Sequence, residues 1–127
     1  MKRINLAGCI ITDDQGRLLL IHRQANDEWE LPGGRLDQDE PADIGAARQM
    51  FEELGIDVEI KTQMGSTEFN QNGQSYNFSW FKADLIEGQP QPRLQSEADS
   101  LRYFSKKEVL ELPNRSAILE QIVNDLK

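Results

Sequence analysis

Among its 127 residues the chain has a single cysteine and a single histidine. Cys9 therefore cannot form an internal disulfide. It lies in an apolar run and reads as core filler rather than a nucleophile, which points to a reducing, cytoplasmic setting. His22 has no second His or Cys close in sequence, so a zinc site has no support. Long hydrophobic runs are also missing: none approaches the ~18 residues of a membrane span. The apolar stretch after Lys2 and Arg3 ends at Asp13 without a small-residue cleavage site, so it is predicted to be a first strand rather than a leader. Positive charge is in deficit. A net charge of −8 leaves no basic footprint, and stable nucleic-acid binding is not expected. A nucleotide substrate is not excluded, because clustered carboxylates can hold divalent cations that present positive charge to phosphates. The bland alternative is acidity that serves only solubility.

What is present suits one globular domain over 1–127, with 38% hydrophobic and 28% charged residues. A chain of this length buries about two-thirds of its unfolded surface, enough for a proper core. Residues 4–12 and 17–23 are apolar runs around Asp13-Asp14-Gln15-Gly16, a pattern that predicts a β-hairpin. Trp29-Glu30-Leu31-Pro32-Gly33-Gly34 predicts an extended segment and tight turn, where paired glycines permit close backbone approach. A helix is predicted over 41–54, with Asp39 or Glu40 as cap, Gly55 at its end, and Ile44, Ala47, Phe51 and Leu54 as its core-facing stripe. Strands over 58–69 and 75–85 flank Asn72-Gly73, a strong hairpin signal. A brief strand over 101–104, a helical turn over 106–112 and an amphipathic last helix follow. Strands and helices mix without βα alternation, which favours an α/β (α+β) sandwich with a mixed sheet over a doubly wound fold.

At about 100° per residue, Arg48, Gln49, Glu52 and Glu53 form a polar band beside the predicted buried face of the long helix. Two rigidly held carboxylates and a carboxamide suit Mg²⁺, which binds hard oxygen ligands together with substrate phosphates. An isolated Glu-Glu pair would more simply be a solvated face with an i,i+4 ion pair, contributing only a few tenths of a kcal/mol. The Pro-Gly-Gly turn just upstream, whose carbonyls can also reach a metal, shifts the balance.

The spacing Gly34, five residues, Glu40, seven residues, Arg48-Gln49-Met50-Phe51-Glu52-Glu53-Leu54-Gly55-Ile56 resembles the Nudix box. Every fixed position matches except Gln49, where the family has Glu. The resemblance covers nearly the whole chain and implies a Nudix-type α/β/α sandwich. It implies hydrolysis of a pyrophosphate bond in a nucleoside diphosphate derivative, with Mg²⁺ (or Mn²⁺) as cofactor. Residue by residue, it implies Glu52 and Glu53 as metal ligands with the Gly33 carbonyl, Arg48 as the orienter of the box glutamates, and Glu40 as a brace. A later glutamate often adds a ligand or serves as base; Glu97 is the candidate and Asp99 the runner-up, against ordinary loop acidity. Arg23 is a candidate for phosphate contact, against a surface arginine. Asn114 is a candidate for nucleobase contact, against a helix N-cap. Tyr76, Phe78 and Trp80 alternate onto one strand face and are read as core rather than a stacking platform.

Gln49 replaces the residue that serves many family members as base or ligand. A carboxamide neither takes the proton as a carboxylate does nor offers an anionic oxygen. Three readings remain open: the base comes from Glu97 or Asp99, the chain is a weakened enzyme that binds nucleotide, or the substitution was introduced. For substrate, the resemblance favours a MutT-like nucleoside triphosphate pyrophosphohydrolase, with ADP-ribose or another nucleotide sugar as the alternative. Monomer and homodimer are both compatible with a sequence that carries no clear interface stripe.

Overall fold

The computed structural model describes residues 2–93 and 97–126. In chain order the elements are β1 Ile4–Ile10, β2 Leu18–Arg23, β3 Glu28–Glu30, β4 Gly33–Arg35, α1 Ala42–Leu54, β5 Asp57–Gln71, β6 Gln74–Glu87, β7 Ala98–Phe104, α2 Lys106–Glu111 and α3 Ala117–Asp125. They build two sheets, ordered β4-β1-β6-β5 and β3-β2-β7. The first is mixed, because β1 runs parallel to β6 and antiparallel to β4. Among the described residues, no helix is long and apolar enough to cross a membrane.

The predicted β1–β2 hairpin is corrected. Its turn does form, closed by the Asp13 carboxylate, which accepts the backbone N–H groups of Gln15 and Arg17 at 3.0 and 2.8 Å. Beyond one bridge, Thr12 to Leu18, the strands part into different sheets. The reason is burial on both faces. Ala7, Cys9, Ile11, Leu19 and Ile21 enter the core under α1, whereas Ile10, Leu18 and Leu20 enter a second core under α2 and α3. Strands buried on both sides read as continuous apolar runs and must be covered twice, so α/β/α layering follows. The β5–β6 hairpin is as predicted, with Asn72 and Gly73 at φ 54° and 79°, the left-handed pair that a two-residue turn needs. Three register shifts interrupt this long pairing.

The phase of α1 is also corrected. Ile44 and Phe51 are 58% and 52% exposed, and the buried residues are Gly45, Ala46, Met50, Glu53 and Leu54. The largest side chains do not set the phase; the small Ala46 and flexible Met50 fit the seam against β1, and Glu53 turns inward to a cation. Neither Asp39 nor Glu40 caps the helix. Pro41 occupies the N-cap position without a side-chain bond, and Gly55 ends the helix at φ 70°. The Glu40 carboxylate instead accepts the Asp37 N–H at 2.9 Å and two bonds from Arg48, which hold its pKa down at about 2. The helix phase gives a direct contrast. Met50→Ala is expected to cost about 2–5 kcal/mol of stability, and Ile44→Ala no more than about 0.5 kcal/mol. Denaturant midpoints of the two variants would reverse that order if the predicted stripe were the buried one.

Candidate active site

A cleft of about 710 Å³ opens where the end of β2, the start of β4 and the last turns of α1 meet. Arg23 lines it, with its side chain only 14% exposed. Its guanidinium donates Nε to Glu30 and Nη2 to both the Gly33 carbonyl, at 2.8 Å, and Glu53 Oε2, at 3.3 Å. Nη1 lies 3.8 Å from Glu97 Oε2. Burial alone would lower the Arg23 pKa, but Glu53 and Glu30 beside it reverse the direction and it ends raised. Glu53 is itself buried, and that burial raises its pKa against the opposing pull of Arg23 and of the Gly33 N–H, which donates to Glu53 Oε1 at 3.3 Å. Gly33 is fixed by close packing: a Cβ there would lie 2.3 Å from the Ala7 carbonyl oxygen. One strand end, one glycine and one helix thus share a single buried ion pair.

The second guanidinium, Arg48, grips Glu40 through Nε and Nη2 and both Glu52 oxygens through Nη1 at 2.9 Å. Hydrogen bonds to Glu40, then Glu52, raise its pKa. Gln49 lies over Gly34 and donates Nε2 to the Arg35 carbonyl at 2.9 Å, beside Arg48 Nη2 at 3.2 Å. A glutamate could not donate to that carbonyl, so the carboxamide makes a bond here that the family's usual residue cannot.

The structure thus brings Arg23, Gly33, Gln49, Glu52, Glu53 and Glu97 to one cleft, and Arg48 behind it. It does not bring Asp99 or Asn114 there. Asp99 Oδ1 lies 2.8 Å from His22 Nδ1, and His22 Nε2 lies 2.8 Å from Asp27. Asn114 donates to the Asp27 carbonyl at 3.1 Å, and its own carbonyl accepts the Trp29 N–H. The N-cap of α3 is Ser116, so the capping alternative for Asn114 is not met either. Of the three aromatics, Trp80 is buried, Tyr76 stacks on Phe69 at 5.1 Å, and Phe78 reaches the cleft.

Sequence reasoning missed Glu30, Phe51 and Arg93, which also line the cleft. Glu30 was accessible in principle. Its register partner is Ile21, so it sits diagonal to Arg23 across the β2–β3 pair, within reach of a long side chain. Arg93, in Pro90-Gln91-Pro92-Arg93, has no local pattern to mark it.

Among the described residues, no three carboxylate, imidazole or thiol side chains converge as a ready cation site. The available donors, Glu52, Glu53, Glu97 and the Gly33 carbonyl, are nevertheless all oxygen, the chemistry of a hard divalent ion. The acids are now paired with Arg23 and Arg48, counter-charges that a metal would supplement or replace.

Comparison with known proteins agrees with this architecture. The NUDIX domain model matches residues 2–126. A MutT-like protein of Streptomyces ambofaciens is 47% identical over 65 residues, covering 51% of this chain and 42% of that one. The chain therefore matches less than half the length of that relative. The CTP pyrophosphohydrolase of Escherichia coli is 28% identical over 117 residues, covering 89% of this chain and 84% of that one. The crystal structure of a MutT NUDIX hydrolase from Burkholderia pseudomallei superposes with a TM-score of 0.88 at 26% identity, covering 100% of both chains.

The His22 bridge carries a pH signature. The hydrogen bond to Asp99, then that to Asp27, raises the imidazole pKa above its ordinary value of 6.5. The bridge's stabilisation is therefore fully present below about pH 6.5 and is lost as pH rises through the higher folded value. Melting temperatures of the wild type and His22→Gln, scanned from about pH 5.5 to about pH 9, should converge as pH rises. A gap that stays constant or widens would show that the bridge is not ionic.

Proposed function

Since the chain belongs to the NUDIX domain family, we propose that it hydrolyses the pyrophosphate linkage of a nucleoside triphosphate, releasing a nucleoside monophosphate and pyrophosphate. The observation that carries this reading is the adjacency of two clefts. Beside the acid-lined cleft lies an apolar recess of about 510 Å³, and the two share Leu6, Glu30, Leu31 and Phe78. An apolar recess adjoining charged groups suits a base in one and phosphates in the other. The CTP pyrophosphohydrolase likeness, which spans most of both chains, supports the same substrate class.

The residues that would hold Mg²⁺ are Glu52 and Glu53, with the Gly33 carbonyl. When bound, the ion supplies charge neutralisation at the phosphates and a more acidic water. The chain's own residues do the rest. Arg48 fixes the direction of Glu52, and Arg23 balances the buried charge of Glu53. Gln49 holds the Arg35 carbonyl and with it the turn that presents Gly34. Glu97 is 80% exposed at its side chain, lines the cleft and is free to accept the proton of the attacking water. As water adds to phosphorus, the bridging P–O bond breaks and pyrophosphate leaves with its electron pair.

A second reading is favoured by Gln49 itself. A carboxamide bonded to a backbone carbonyl contributes no base, and a site lacking one would bind nucleotide with little turnover. The test is a panel of nucleoside triphosphates, ADP-ribose and nucleotide sugars assayed with Mg²⁺ or Mn²⁺ and with chelator, followed by product analysis. Metal-dependent release of pyrophosphate from a triphosphate is expected. Glu97→Gln should lower kcat about 10²–10⁴-fold, and Gln49→Glu should give no comparable gain. A gain of about 10²-fold or more in Gln49→Glu would return the base to position 49 and make the natural site a binder. Tight nucleotide binding without products in the wild type would do the same.

A further inference from the structure

The two guanidiniums that organise the acids are largely engaged in that work, with only Arg23 Nη1, 3.8 Å from Glu97, outside hydrogen-bond distance. Arg23 faces Glu30, Glu53 and Glu97, and Arg48 faces Glu40, Glu52 and Asp37. Two other arginines line the cleft, Arg35 and Arg93, and among the described residues neither forms an ion pair. They differ in how they are held. The Arg35 side chain has no hydrogen-bond partner among the described residues and lies between the cleft and a neighbouring polar groove. Arg93 is anchored three ways. Its backbone N–H donates to the Glu53 carbonyl at 3.1 Å, and Nη1 donates to the Phe51 carbonyl at 3.1 Å. Its guanidinium also lies over the Phe51 ring, 5.3 Å from the centroid.

This pairing accounts for an otherwise odd residue, a half-exposed phenylalanine on the helix that bears the acids. Phe51 is a platform for a cation. A guanidinium has five N–H donors, and Arg93 has committed one of them to the other described residues. The rest form a planar edge suited to two oxygens of one phosphate, already oriented by stacking. Position along the cleft decides which phosphate. The apolar recess joins at Leu6, Glu30, Leu31 and Phe78, whereas Phe51, Glu52 and Arg93 line the acid cleft alone. A base in the recess would place its phosphate chain in the acid cleft, where Arg93 stands among the residues that the recess does not share.

On the reading of the cleft as a nucleoside triphosphate site, we propose that Arg93, carried on Phe51, binds the terminal phosphate and is the specificity residue that favours triphosphates over diphosphates. The plainer role for Arg93 is to place positive charge at the carboxyl end of α1, whose last turn has no basic residue. The two roles separate kinetically. With CTP and dGTP as substrates and CDP and dGDP as competitive inhibitors, Arg93→Ala should raise KM for the triphosphates about tenfold or more. Inhibition by the diphosphates should stay unchanged, and kcat should stay within about threefold of the wild type. Arg93→Lys should recover part of the lost preference, and Phe51→Leu should fall between wild type and Arg93→Ala.

A kcat loss with KM unmoved, or a lower melting temperature with the preference intact, would leave Arg93 as a helix cap and overturn the proposal. So would Arg35→Ala abolishing the preference while Arg93→Ala keeps it. Should the wild type cleave ADP-ribose but no triphosphate, the triphosphate reading fails and the proposal with it. If the wild type cleaves triphosphates and the preference survives Arg93→Ala, the proposal alone fails.

Discussion

The buried pair between Glu53 and Arg23 is the constraint on which the rest of the site depends. An ionised carboxylate taken from water needs a counter-charge and hydrogen bonds, or it protonates. Glu53 obtains the first from β2 and the second from the Gly33 N–H at the start of β4. That arrangement ties the helix to both sheets at one point, since β2 and β4 belong to different sheets. Removing either partner would leave a charge stranded between layers, so the pair fixes the rotation of α1 about its axis. Once that rotation is set, Arg48, Gln49 and Glu52 fall on the rim without needing hydrophobic contacts to aim them.

The cleft illustrates a division of labour among cations. Guanidiniums paired with carboxylates order the acids, and they do so before any ligand arrives. Those without an ion pair among the described residues stand at the edges. On the proposed reading of the cleft, a chain with a net charge of −8 has to limit repulsion of a polyphosphate ligand. A few localised cations, together with any metal, serve better than a diffuse positive surface that would attract nucleic acids.

How legible this was depended on whether the signal was local. The Asn72-Gly73 turn, the glycine stop of α1 and the spacing of Glu52 and Glu53 lie within a few residues of one another and were readable. The phase of α1 was not, because periodicity ranks side chains by hydrophobicity. Ile44 and Phe51 are more hydrophobic than Ala46 and Met50, and a hydrophobic period assigns no carboxylate to the core. The hairpin reading of residues 4–23 failed on partner choice. Its turn was right, but the parallel partner of β1 lies at 76–82, far along the chain. Glu30 and Arg93 went unnoticed because they reach the cleft only through tertiary contacts, Glu30 across a strand pair and Arg93 from a loop tied to α1 by backbone bonds.

The parallel pairing of β1 with β6 also bears on how the chain reaches its shape. The first strand emerges long before its neighbour, and every residue of the box helix lies between them. Closing so large a loop comes at an entropic cost before its contacts can reward it, which slows folding relative to proteins built from local pairings. During synthesis β1 must remain unpaired on that side until more than half the chain has left the ribosome, an interval in which its apolar edge is open to chaperones or to misassociation.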